Sequence, residues 1–101
     1  MRKKVDSYLG FAAKSRNLVS GYHTCLHAIK QKKLKLLILS EDLSENTVKK
    51  LSRLSKESEI PMRIYGKSEE LSNATGSQER GVFGITDANF ADAILKEIDG
   101  E

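Results

Sequence analysis

At 101 residues the chain is long enough for one domain and too short for two, so its core is built from a few thin layers. Hydrophobic residues make up 39% and charged residues 31%, a balance that argues against disorder. No apolar run approaches the ~20 residues of a membrane-spanning helix. The net charge of +3 conceals a split. Residues 1 to 35 carry nine basic side chains and one acid, whereas residues 36 to 101 carry eight and thirteen. A basic amino-terminal third of this kind is the footprint of a polyanion partner. The start MRKKVDSYLG lacks the apolar stretch of a signal peptide, so a cytoplasmic protein is expected. The single cysteine, Cys25, excludes an internal disulfide and a CxxC metal or redox site.

Val5, Tyr8, Leu9 and Ala12 follow the i, i+3, i+4, i+7 spacing of an amphipathic helix, expected over residues 4 to 16, with Gly10 marking a close approach. After the short run Leu18-Val19, the spacing of Tyr22, Cys25, Leu26 and Ile29 predicts a second helix. The nearly unbroken apolar run from Leu34 to Leu39 predicts a buried central strand. Ser44 is placed to cap a third helix, with Glu45 in its first turn and Val48, Leu51 and Leu54 turned inward. Pro61 ends that helix and opens a strand from Met62 to Tyr65. Ser68, followed by Glu69 and Glu70, starts a short helix that Gly76 closes. A glycine-interrupted strand over Gly81 to Thr86 precedes a final helix from Ala88 to Ile98, with Phe90, Ile94 and Ile98 on one stripe. Alternating helices and strands predict one domain over residues 1 to 101. Its expected fold is an α/β/α sandwich of three layers around a small mixed four-stranded sheet.

The segment NLVSGYHTCLHAIK, residues 17 to 30, concentrates the polar chemistry. At about 100° per residue, His23, Thr24 and His27 share one side of the second helix. Tyr22, Cys25, Leu26 and Ile29 take the other. A histidine pair at i, i+4 could grip zinc, but zinc needs three or four ligands, Cys25 points the opposite way, and residues 7 to 40 contain no carboxylate. No serine elbow, P-loop or dinucleotide fingerprint appears, and Glu41 and Asp42 are expected to solvate the loop before Ser44. Neither an enzyme, a metal nor a cofactor is therefore expected. Binding of RNA accommodates the remaining features. Gly21 permits a close backbone approach, the helix start offers free N–H groups to phosphates, and Lys14 and Arg16 lie just upstream. Such a helix end reaches bases only where non-canonical pairs open the deep groove.

The stretches Tyr8-Leu9-Gly10-Phe11-Ala12, Leu18-Val19-Ser20-Gly21, Leu34 to Asp42, Ile60-Pro61-Met62, Leu71 to Gly76 and Arg80 to Asp87 follow one another as in a known family. In this order the chain resembles the kink-turn-binding ribosomal proteins of archaea and eukaryotes, and most of all their small bacterial YlxQ branch. The resemblance implies that the helix after Gly21 reads tandem sheared G·A pairs of a sharply bent RNA. It also implies that the loop from Gln78 to Val82 packs on an extruded nucleotide. In the family the first helical turns carry Asn, Glu and, three residues after the Glu, Lys. Here His23, Thr24 and His27 stand at those positions.

Without the carboxylate the helix lacks the best acceptor for guanine N–H donors, and without the lysine it lacks a permanent charge. A good bidentate pairing with a base is worth about 1–3 kcal/mol of discrimination, so weakened or altered specificity is expected. The expected RNA contacts are Lys14, Arg16, Ser20, Gly21, Tyr22, His23, Thr24, His27, Lys30, Arg80, Gly81 and Val82. The expected partner is a structured ribosomal or messenger RNA, with the ribosome or a translation or transcription factor beside it. The competing reading is a protein-interaction module that kept the scaffold and lost RNA recognition. Its interface would be the acidic carboxy-terminal two-thirds or an apolar loop around Val82 and Phe83.

Overall fold

The computed structural model describes residues 2 to 100. Helices and strands alternate as α1 (Lys3–Lys14), β1 (Leu18–Ser20), α2 (Tyr22–Lys30), β2 (Leu36–Leu39), α3 (Glu45–Glu57), β3 (Met62–Ile64), α4 (Ser68–Thr75), β4 (Val82–Ile85) and α5 (Ala88–Ile98). The strands form one sheet in the order β1-β4-β2-β3. β4 runs antiparallel to both β1 and β2, while β2 and β3 are parallel, so the sheet is mixed.

Both interior strands are buried along their whole length. The two-residue side-chain period of β2 divides the core. Leu36 and Ile38 join Phe83 and Ile85 of β4 on one face, beneath Val5, Leu9 and Ala12 of α1, Leu71 of α4, and Ala91 and Ile94 of α5. Leu37, Leu39 and Val82 line the other, beneath Cys25, Ala28 and Ile29 of α2 and Leu51 of α3. Three helices on one face and two on the other give the expected three-layer sandwich.

Gly84 sits in the middle of β4, opposite Leu37 and Val19. A Cβ there would fall 2.5 Å from Leu34 Cδ2 and 2.9 Å from Cδ1, so the missing side chain is the space that Leu34 fills. Gly84→Ala is therefore expected to destabilise the protein by about 1–3 kcal/mol through overpacking. Urea denaturation checks it, and trimming the obstacle in Gly84→Ala/Leu34→Ala should recover part of the loss.

Several element ends differ from the sequence expectation. α1 stops at Lys14 rather than residue 16, because Arg16 takes a left-handed backbone with φ 63° and its N–H donates to the Ala13 carbonyl. Leu34 is buried but precedes β2, which begins at Leu36. β3 ends at Ile64 and β4 covers only Val82 to Ile85. Ser44 caps α3 as expected, its hydroxyl accepting the Thr47 N–H at 3.2 Å. Asp87 does the same for α5 through the Phe90 N–H at 2.9 Å. Asp42 does more than solvate its loop. Its carboxylate accepts the Ser68 hydroxyl at 2.8 Å and the Ser68 N–H at 3.3 Å, fastening the start of α4. On the edge strand β3, the Arg63 guanidinium clasps the Asp99 carboxylate at 2.8 and 3.1 Å, which holds that carboxyl below the usual carboxylate range.

Candidate functional site

The chain turns from β1 into α2 at Gly21, whose φ of 100° and ψ of 148° suit glycine alone. Its N–H donates to the Val82 carbonyl at 2.8 Å, and its carbonyl accepts the Cys25 N–H at 3.0 Å. No side chain caps α2 and no acid lies in its first turn. The positive end of its dipole thus faces outward without a counter-charge on the helix itself. On this helix the polar and apolar sides separate as the spacing predicts. His23, Thr24 and His27 are exposed, whereas Cys25, Ala28 and Ile29 are buried. Tyr22 is half-buried against the core beneath α2 and α3, and its ring meets His23 edge-on at 5.3 Å, which orients that imidazole outward.

The loop between α4 and β4 arrives beside the head of α2. A Cβ on Gly21 would lie 3.4 Å from Arg80 Nη1, so the guanidinium rests on the bare backbone of the turn. Arg80 is exposed, yet its main chain is fixed. Its N–H donates to the Ser72 hydroxyl at 3.0 Å, and that hydroxyl donates to the Arg80 carbonyl at 3.1 Å. A second tie runs through hydroxyls, from Thr75 to Ser77 at 3.0 Å and from Ser77 to Ser20 at 3.3 Å. Gly81 follows because a Cβ there would sit 2.8 Å from both Leu43 Cδ2 and Ser40 Oγ. Between this loop, α4 and Leu43 lies an open groove of about 700 Å3, with Arg80 and Gly81 on its wall.

The fold brings together Ser20, Gly21, Tyr22, His23, Thr24, Arg80 and Gly81, with His27 one helical turn further along. It does not bring the other cations there. Lys14 and Arg16 lie at the far end of β1, and Lys30 lies at the far end of α2, about 12 Å along the axis from Tyr22. Val82 is only 3% exposed and packs in the core beneath α2 and α3, so its side chain cannot meet a surface ligand. Phe83 is fully buried as well, which removes the apolar loop on which a protein interface was placed. Ser72, Thr75 and Ser77 fasten the site without any sequence pattern that marks them, since single serines and threonines look alike in a helix end and in a loop.

Among the described residues, no group of three or more His, Cys, Asp and Glu side chains could hold a metal ion, and none of the helices is long and apolar enough to cross a membrane. Cys25 is enclosed beneath α2, and burial pushes its thiol from an ordinary 9.0 up to about 12. The unfolded chain would then ionise first, so this thiol costs nothing below pH 9 and draws stability down as pH rises from about 9 towards 12. Thiol-reagent labelling of the folded protein at pH 8 should accordingly be slow and become fast in denaturant.

A sequence profile described as the ribosomal protein L7Ae/L30e/S12e/Gadd45 family matches residues 3–95. Two relatives carry the name RNA-binding protein YlxQ. The one from Bacillus subtilis (strain 168) is 31% identical over 91 residues, covering 90% of this chain and 91% of that protein. The one from Enterococcus faecium is 31% identical over 99 residues, covering 98% and 95%. A protein of unknown function from Bacillus halodurans C superposes with a TM-score of 0.93 at 35% identity, over 97% of this chain and 99% of the other. The Giardia lamblia 15.5kD RNA binding protein shares the fold at a TM-score of 0.81 and 17% identity, over 95% and 85%.

Proposed function

Because the chain belongs to the ribosomal protein L7Ae/L30e/S12e/Gadd45 family, we propose that it is a non-enzymatic RNA-binding protein that receives a bent, structured RNA on the head of α2. The observation that carries this reading is the Arg80 guanidinium lying on Gly21, beside a helix start with no acid in its first turn. A cation next to the positive end of a helix dipole is unfavourable by itself, and a phosphate placed between them relieves both. His23, Thr24 and His27 project from the same side of α2 and would meet the bases, while the Ser72 and Ser77 ties keep the adjoining loop in place.

Thr24 offers a hydroxyl where the family has a carboxylate, and the two imidazoles replace an amide and an ammonium. Recognition of the sheared pairs is correspondingly weaker, with shape and charge contributing more of the affinity. The RNA would be ribosomal or messenger, and the ribosome or a translation or transcription factor a secondary partner. The test is a titration of a kink-turn RNA and an unbent duplex of equal length at several salt concentrations. Tighter binding to the bent RNA, with affinity falling as salt rises, is the expected result. Equal binding would remove the shape preference, and no binding to either at low salt would remove RNA.

A further inference from the structure

We propose that the outward face of α1 is a second RNA-contacting surface, on which an unpaired base stacks against Phe11 while Lys4 and Lys14 hold the neighbouring phosphates. The inference rests on the RNA-binding reading and extends it to a region remote from the head of α2. α1 buries Val5, Leu9 and Ala12 against the sheet, which turns Phe11 outward at 58% exposure. Lys4, Ser7 and Lys14 lie within about 60° of it around the helix, and all three are exposed. The one acid of this helix, Asp6, lies about 140° away and is half-buried beside Glu70, Asn73 and Ala74 of α4.

The face therefore presents one exposed aromatic ring, with the half-buried Tyr8 about 60° to its side, among charges of a single sign. An apolar protein interface needs a contiguous patch, and one ring bordered by lysines does not supply it. Single-stranded nucleic acid asks for the combination found here, a π-face for a base and cations for its backbone. Along the axis Lys14 lies about 4.5 Å beyond Phe11 and Lys4 about 10.5 Å before it, so the two ammonium groups bracket the ring.

The α4 side of α1 connects this helix to the head of α2. Gly10, the neighbour of Phe11, approaches the Ala74 carbonyl so closely that a Cβ would lie at 3.3 Å. From that end of α4 the hydroxyls of Thr75, Ser77 and Ser20 lead directly to Gly21. α1 and α2 cover opposite faces of the sheet, so an unpaired strand leaving a duplex docked at α2 would pass around this edge of the protein to reach α1.

The chain contains no tryptophan, so Phe11→Trp introduces a single reporter at the ring itself. Three probes are titrated: a kink-turn RNA with a single-stranded oligouridine tail, the same RNA without the tail, and the oligouridine alone. The expected result has three parts. The tail tightens binding to the native chain by about 5-fold or more. Phe11→Ala abolishes that gain and Phe11→Tyr retains it, both with an unchanged melting temperature. The Phe11→Trp emission is quenched by the tailed RNA and not by the untailed one. A tail that adds nothing, a gain that survives in Phe11→Ala, or an emission that ignores the tail would overturn the inference while leaving binding at α2 intact. Phe11-dependent binding of oligouridine, with no binding of the untailed RNA, would support the α1 surface and remove the reading of α2. If none of the three probes binds the native chain at low salt, both fall together.

Discussion

Gly21→Ala is expected to destabilise the protein by about 1–3 kcal/mol and to weaken RNA binding at temperatures where the variant remains folded. The backbone at this turn has φ 100° and ψ 148°, a region that an L side chain enters only under strain. Relaxing the strain would rotate the two peptides that flank Gly21, one whose N–H donates to the Val82 carbonyl and one whose carbonyl starts the α2 ladder. The new methyl would only touch the Arg80 guanidinium, at 3.4 Å, so the disturbance falls on the helix start. Urea denaturation measures the first effect, and titration of a bent RNA at a temperature where circular dichroism shows the native helix content measures the second. Native-like stability would mean that the turn relaxes cheaply. Unchanged affinity in a folded variant would place the RNA elsewhere.

The second large effect is a gain. Restoring the family residues with His23→Asn, Thr24→Glu and His27→Lys should raise the preference for a kink-turn over an unbent duplex by at least about tenfold, given about 1–3 kcal/mol for each good bidentate base pairing. The three side chains are already exposed on one side of α2, so no repacking is needed to present them. Thr24→Glu also adds an acid to a first turn that has none, which favours the helix and separates the binding gain from any loss of stability. Competition between the two RNAs reads the ratio directly. An unchanged ratio would mean that the outward side of α2 does not approach the bases as it does in the family.

The architecture was legible because β2 and the amphipathic helices leave little choice of face. An unbroken apolar run such as Leu36 to Leu39 must be covered on both sides, and the stripes of α1, α2, α3 and α5 provide that cover. Helix ends marked by Ser44, Gly76 and Asp87 were equally readable or confirm a simple capping rule. The end of α1 was not, since the left-handed turn at Arg16 follows from how the chain must enter β1 and not from any preference of arginine. In the site, the opposed faces of α2 could be read from spacing alone. The position of Arg80 over Gly21 could not, because those residues meet only through β1–β4 pairing and the Ser72 bonds. Val82 was legible as part of the last strand but not in its facing: as the first residue of β4 it turns into the core beneath α2 and α3, which motif order does not reveal.

The displacement of Lys14 and Arg16 to the far end of β1 sets a scale for the ligand. From Asn17 to Gly21 the extended chain covers about 13 Å, so an RNA that touched both these cations and the Arg80 guanidinium would have to span more than one nucleotide. An isolated mononucleotide cannot touch both ends, whereas an oligomer of several units can. Chain length should thus act as a ruler, with affinity climbing stepwise as a series of RNA fragments grows long enough to bridge the strand.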